Sequence, residues 1–196
     1  MRDLFIDSGA VFAGWVGLGM AVVVAICFEL IIPVQVVVFL LAPVMGFVLG
    51  VYANVRAERW RPRIRVLANA AYAGIVTGLA VALFYVAVRL VFIYGDGGSL
   101  PDGSALQCRT GPDCVYQRLL LEEQRTGHAG DLAAEGITDA ASLEAFAWRG
   151  LATTGGALFS LTVVGSLVGG IARSLVTQPG DERKRPLLPA TVERSG

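Results

Sequence analysis

The sequence predicts an all-α protein: a four-helix transmembrane bundle with cytoplasmic N- and C-termini and a small exoplasmic loop subdomain between spans three and four. Three observations predict this fold. Hydrophobic residues make up 55% of the 196 residues and charged residues only 16%, whereas a soluble domain averages about 25% charged residues. The apolar residues fall into long blocks. Arginine is concentrated in two of the polar segments that separate or follow these blocks.

The first two spans come from one long apolar stretch. Residues 9–53 carry a single charged side chain, Glu29. One helix of that length would reach about 68 Å, roughly twice the ~30 Å thickness of the hydrocarbon core. The stretch must therefore fold back, and Pro33, which suits the first turn of a helix, marks the return. The predicted spans are about 9–28 and 34–54.

Two later apolar blocks predict spans three and four, at about 66–94 and 151–171. The third block is longer than a straight crossing requires, so we expect this helix to tilt or to project at one end. The segment 95–148 between the two spans is the predicted exoplasmic loop. The polar residues 177–196 are predicted to form a disordered tail. The chain is thus expected to be a single integral membrane domain.

Arginine counts in the polar segments predict the orientation. Residues 55–65 hold five arginines and one acid, whereas the segment 95–148 holds three arginines and nine acids. Because cytoplasmic loops carry the excess of basic residues, the loop 55–65 and the C-terminal tail are predicted to face the cytoplasm. We therefore expect a multi-pass protein of the plasma membrane, and the arginine-rich composition favours a prokaryotic source. The loop arginines are topology signals and candidate ligands of anionic lipid: Arg56, Arg59, Arg61, Arg63 and Arg65.

Two cysteines in the exoplasmic loop, Cys108 and Cys114, predict a disulfide bond. The turn sequence between them, residues 111–113, can bring the thiols together, and the exoplasmic side of a membrane is oxidising. Closing this small ring stabilises the loop by roughly 2 kcal/mol on the chain-entropy model. The alternative is a metal site built from the two cysteines and His128. It has neither a CxxC spacing nor an obvious fourth ligand, so the disulfide is preferred.

The same loop has the pattern of two short helices. One is predicted over residues 115–125. The other begins with Thr138 as its N-cap and Asp139 in its first turn, where a negative charge is favourable. Its apolar positions, Leu143, Phe146 and Ala147, follow helical spacing. The pattern predicts a lid that rests on the bundle or on the outer leaflet, and the alternative is a docking surface for an external partner.

Two ionisable residues lie within or beside the apolar blocks, and such residues suggest function. Glu29 ends the first span and Arg89 lies near the outer end of the third, so both are expected near the exoplasmic interface. Their matching depths support the hypothesis of an ion pair. The alternative is that each side chain extends separately to the headgroup region.

Glycines recur at spacings that let helix backbones approach each other closely. Such faces usually pack within one bundle, but they also fit a homo-oligomer or a membrane-protein partner. The glycines are Gly46 and Gly50 in span two, Gly74 and Gly78 in span three, and Gly155, Gly156, Gly165, Gly169 and Gly170 in span four.

No motif in the sequence carries a catalytic mechanism. There is no nucleotide-binding glycine loop, no metal-binding box and no base beside the serines of span four. We therefore expect no enzymatic activity, no cofactor and no metal, and the neutral net charge argues against nucleic acid as a partner. The expected partner is the lipid bilayer, and the expected function is that of an accessory or scaffolding subunit in a membrane assembly. The alternative is a small oligomeric transporter that uses Glu29 near its exoplasmic mouth.

Overall fold

A computed structural model describes residues 6–27, 35–55, 62–100, 104–127 and 130–176. These residues are mostly helical, with one isolated antiparallel bridge between Ser99 and Ala105. The described helices are α1 (Ser8–Ala25), α2 (Gln35–Val55), α3 (Arg63–Tyr94), α4 (Pro112–Thr126), α5 (Asp131–Ala134) and α6 (Ala140–Val176).

Within the described residues, four helices are long and apolar enough to cross a bilayer, and they are α1, α2, α3 and α6. The all-α fold and the four candidate spans are therefore confirmed. The first three helices match the predicted spans closely, although α3 begins at Arg63, three residues before the expected start. The tail predicted at 177–196 lies outside the described residues.

The fourth span differs from the prediction, because it forms one helix with the segment before it. The sequence suggested a separate short helix followed by a span at 151–171, whereas α6 runs without a break for 37 residues. Its start is also one residue later than expected, since Asp139 and not Thr138 occupies the capping position. The Ser142 N–H donates to Asp139 Oδ1 at 2.7 Å, and the Asp139 N–H donates to Ser142 Oγ at 3.0 Å. This reciprocal pair is a capping box.

Helix α6 packs against both α2 and α3, and α1 packs against α3 and α2. One apolar cluster in the interior draws side chains from all four helices, including Ala21, Met45, Val81 and Leu158. A second, smaller cluster consists of alanines from α1, α2 and α3, with Tyr52 and Tyr72 packed beside it. Small side chains at these positions let the helices approach closely, as is common in membrane bundles.

Helices α2 and α6 meet at a seam in which their backbones touch, and two glycines from each helix make this contact. A Cβ atom added to Gly46 or Gly50 would overlap the backbone of Thr162 or Ser166 on α6. Likewise, a Cβ atom added to Gly165 or Gly169 of α6 would overlap the backbone of Pro43 or Phe47 on α2. Both helices therefore need glycine at this crossing, which we call the glycine seam: Gly46, Gly50, Gly165 and Gly169.

Ser166 of α6 joins this seam to α3. It is fully buried, and its hydroxyl donates a hydrogen bond of 2.6 Å to the carbonyl oxygen of Ala70. Its Cβ atom also packs where a side chain on Gly74 would lie, at 2.7 Å from the ideal Cβ position. One small polar residue thus contacts two neighbouring helices, and larger residues would separate them.

Candidate functional site

The segment between α3 and α6 is described over residues 95–100, 104–127 and 130–139, which contain α4 and α5; we call these residues the loop segment. Within it, Cys108 and Cys114 are joined by a disulfide bond, with their Cα atoms 5.1 Å apart. Gly98 lies against both sulfur atoms and has a positive φ of 74°. A Cβ atom there would lie 2.7 Å from the sulfur of Cys108, so glycine is needed for close approach as well as for backbone conformation.

Asp96 connects the start of the loop segment to α4. Its Oδ1 atom accepts a hydrogen bond from the Arg118 guanidinium at 2.7 Å and another from the Gly98 N–H at 2.8 Å. Its backbone carbonyl accepts from the Gly111 N–H, also at 2.8 Å. The side chain of Asp96 is only 11% exposed, so this ion pair is better shielded from solvent than an ordinary surface pair.

Hydrogen bonds also connect the end of α3 and helix α4 to the first part of α6 and the residues just before it. The hydroxyl of Tyr94, the last residue of α3, donates to the carboxylate of Glu144 on α6, and the Trp148 indole donates to the same hydroxyl at 3.3 Å. Farther along, the Tyr116 hydroxyl on α4 donates to the Thr138 carbonyl at 2.7 Å. Together these contacts hold α4 and the ends of α3 and α6 as one unit.

Asp139 is a titratable group whose pKa is shifted by its role at the start of α6. Hydrogen bonds from the backbone N–H of Ser142, and secondarily from its side chain, lower the pKa of Asp139 below its ordinary value of 3.8. The carboxylate also lies at the start of α6, where the helix dipole favours a negative charge. The capping interaction therefore favours the ionised form of Asp139.

Arg89 lies in the part of α3 nearest the loop segment, and its side chain is half-buried. The guanidinium carbon is 5.5 Å from the centre of the Tyr85 ring, one turn earlier on α3. This geometry is that of a cation–π contact. The proposed partner Glu29 lies outside the described residues, so the ion pair stays a prediction.

The arginine-rich loop is only partly described. Arg56, Arg59 and Arg61 lie outside the described residues, whereas Arg63 and Arg65 form the first turn of α3. Arg63 is exposed and Arg65 is half-buried. Both lie at the end of the bundle opposite the loop segment, because the other end of α3 is Tyr94.

A buried polar pair near this arginine-bearing end was not anticipated from the sequence. Asp7, the residue before α1, and Asn69, in the second turn of α3, exchange two hydrogen bonds. The Asn69 amide donates to Asp7 Oδ2 at 2.8 Å, and the Asp7 N–H donates to Asn69 Oδ1 at 3.1 Å. Asn69 is fully buried and Asp7 is 9% exposed. The available signal was Asn69 itself, a strongly polar residue within an apolar span.

Most of the glycines singled out in the sequence serve contacts within the chain. The glycine seam joins α2 to α6, and Gly74 and Gly78 receive Ser166 and Phe159 of α6. A Cβ atom on Gly170 would meet the side chain of Ala70 at 2.6 Å. By contrast, a Cβ atom on Gly156 would meet no heavy atom within 4 Å. Gly156 is therefore open towards the surroundings of the bundle.

Among the residues that the structure describes, no group of three or more His, Cys, Asp or Glu side chains is arranged to hold a metal ion. His128, the third ligand of the alternative metal site, lies outside the described residues. The chain matches no family model, no curated protein and no solved structure.

Proposed function

We propose that the protein is an accessory or scaffolding subunit of a membrane assembly, which presents the loop segment to a partner. In this proposal the bundle lies in the plasma membrane of a prokaryotic cell. Both termini are cytoplasmic and the loop segment is exoplasmic. The arginine-bearing start of α3 and the acidic loop segment at opposite ends of the bundle support this orientation.

The observation that carries the proposal is that α6 begins at Ala140 and continues unbroken into the predicted span at 151–171. A helix of 37 residues is about 55 Å long, whereas the hydrocarbon core is about 30 Å thick. The part of α6 that exceeds this thickness is held in place, because Glu144 and Trp148 are hydrogen-bonded to Tyr94 at the end of α3. The disulfide fixes Cys108 to α4, and the Asp96–Arg118 ion pair joins the start of the loop segment to the same helix. A rigid projecting surface of this kind suits protein docking.

The packing of the bundle favours this role over transport. A solute pathway between α2 and α6 would require these helices to separate, and the glycine seam brings their backbones into direct contact. A cavity between α1, α2 and α3, lined by Ala21, Val38 and Tyr85 among others, has a volume of about 10 Å³. That volume accommodates about one water molecule.

The test of the accessory role is native mass spectrometry of the tagged protein, solubilised from its own cells in a gentle detergent. We expect a stoichiometric complex with a different membrane protein. The double variant Cys108→Ser with Cys114→Ser should weaken this complex, whereas Gly156→Ala, which touches no other residue, should leave it intact. A pure homo-oligomer would contradict the proposal. Proton-coupled flux from such an oligomer, abolished by Glu29→Gln, would establish the transporter instead.

The orientation is tested separately by thiol labelling in spheroplasts. After gentle reduction, a membrane-impermeant maleimide added from outside should label Cys108 and Cys114. Labelling of Cys27, the free cysteine at the end of α1, is avoided by using a Cys27→Ser background. If the loop cysteines react only after the membrane is permeabilised, the proposed orientation is wrong.

A further inference from the structure

An apolar groove runs between α1 and α3 on the outside of the bundle. It encloses about 150 Å³ and is lined by Val11, Gly14, Trp15, Leu18, Tyr72 and Val76. Gly14 forms its floor, because a Cβ atom there would lie 3.3 Å from the Val76 side chain. The Trp15 side chain forms one wall and is 70% exposed. Since α1 and α3 are candidate spans, this groove would face lipid acyl chains.

A positive charge lies on the same face of α3 as the groove. Arg65 precedes Tyr72 by seven residues and Val76 by eleven, and these spacings place both residues within about 20° of Arg65 around the helix. The rise along the helix from Arg65 to Tyr72 is about 10 Å, comparable to the distance from a phospholipid headgroup to the upper part of its acyl chains. Arg63, two residues before Arg65, points to the other side of α3.

Two further features favour an anionic group beside Arg65. The first turn of α3 contains no acidic residue, and Pro62 at its N-cap makes no side-chain capping bond. The helix dipole therefore adds to the positive potential of the arginines at this end. The buried Asp7 carboxylate at this end offsets only one of the two arginines, Arg63 and Arg65. The remaining positive charge and the apolar groove are together complementary to an anionic amphiphile.

We propose that this groove is a binding site for an anionic phospholipid. Arg65 binds the headgroup phosphate, and one acyl chain lies against Gly14, Trp15 and Val76. The proposal rests on the bundle's lying in a bilayer, as proposed above, but not on the accessory role. It assigns a defined site to one arginine of the basic loop, in place of a general attraction of that loop to the membrane surface.

The site can be tested by quenching of Trp15 fluorescence with brominated lipid. Trp60 and Trp148, the other tryptophans, are replaced by Phe, so that Trp15 alone reports. The full chain is reconstituted into vesicles of phosphatidylcholine containing increasing fractions of phosphatidylglycerol. Either the anionic or the neutral lipid carries bromine in the middle of one acyl chain. The ratio of the two quenching curves gives the relative affinity of the lipids for the site.

We expect the anionic lipid to be preferred at Trp15 by about fivefold, the ratio that one near-surface arginine provides. Arg65→Gln should remove this preference, and Arg63→Gln should retain it. A second pair of variants tests whether the groove must be open. Gly14→Leu places a larger side chain in the groove and should lower the quenching by anionic lipid. Gly19→Leu is the control, because a Cβ atom on Gly19 meets nothing within 4 Å.

Three results would overturn the lipid site. Equal quenching by the two lipids would show a nonspecific contact, and an equal loss in both arginine variants would show a general surface charge. Weak quenching by both lipids, with the protein still floating with the vesicles, would mean that a second copy or another helix covers the groove. Failure of the protein to float with vesicles would instead contradict the membrane location on which the proposed function rests.

Discussion

Asn69 of α3 and Asp7, the residue before α1, are joined by two hydrogen bonds. The Asn69 amide donates to the Asp7 carboxyl group at 2.8 Å, and the Asp7 N–H donates to the Asn69 side-chain oxygen at 3.1 Å. The residues are 62 positions apart in the sequence. The Asp7 side chain makes no capping bond to α1, because it is turned towards Asn69. The pair therefore fastens the beginning of the first helix to the third.

Replacing Asn69 should measure the strength of this attachment. We expect Asn69→Ala to lower the free energy of unfolding by about 1–3 kcal/mol, since it removes one hydrogen bond from the buried Asp7 carboxyl group and another from the Asp7 backbone N–H. Asp7→Asn preserves a carbonyl oxygen that can accept from Asn69, so it should cost much less. Thermal unfolding in detergent, followed by circular dichroism, provides the comparison. Equal losses in the two variants would mean that charge, and not hydrogen bonding, supports the pair.

The glycine seam predicts a large difference between two glycines of the same helix. Gly169→Ala should destabilise the bundle by about 1–3 kcal/mol, the usual cost of overpacking a close contact, because the new Cβ atom would overlap the backbone of Phe47. Gly156→Ala should be nearly neutral, since nothing lies within 4 Å. The measurement is the unfolding temperature of each variant in the same detergent. Similar temperatures for both would contradict the seam.

Removing the disulfide should loosen the loop segment without unfolding the bundle. The ring closed by Cys108 and Cys114 is small, so the expected loss of local stability is about 2 kcal/mol. Hydrogen exchange should accelerate in α4 of the double serine variant, whereas exchange across the glycine seam should be unchanged. Faster exchange in α2 as well would show that the loop segment supports the whole bundle.

The capping of α6 should depend on pH through Asp139. Its pKa in the folded protein is lowered below 3.8 by the hydrogen bonds from Ser142. The stabilisation is therefore fully present above pH 3.8 and is lost as the pH falls through the lower, folded value. The amide resonance of Ser142 in nuclear magnetic resonance spectra should titrate in that range. In Asp139→Asn, whose side chain can still cap the helix, this titration should vanish; its persistence would assign the effect to another group.

The four candidate spans were predictable because a bilayer requires long, uninterrupted apolar helices, and composition alone identifies them. The continuity of α6 was harder to foresee. Trp148 and Arg149 are residue types typical of the end of a span, but a helix can continue beyond the bilayer. The capping box of Asp139 and Ser142 determines where α6 begins, and this start is one residue later than a Thr138 cap predicts.

The sequence predicted that helices would approach closely, but not which residues would meet. Glycine spacing indicated that backbones would touch, but it did not show that Gly46 faces Thr162 or that Gly74 receives Ser166. Asp7 and Asn69 each have an unremarkable local sequence, and their pairing depends on how α1 and α3 are placed together. The contact between Cys108 and Cys114 was predictable, because a short turn between two cysteines already limits their separation.

The glycine seam also has a consequence for the order of biosynthesis. Helix α2 is completed early in translation, but its partner α6 is the last of the described helices to emerge from the ribosome. Even Ser166 and its acceptor Ala70 on α3 are separated by 96 residues. The nascent chain must therefore form three helices while the glycine face of α2 is still uncovered, and the bundle closes only when its final helix arrives.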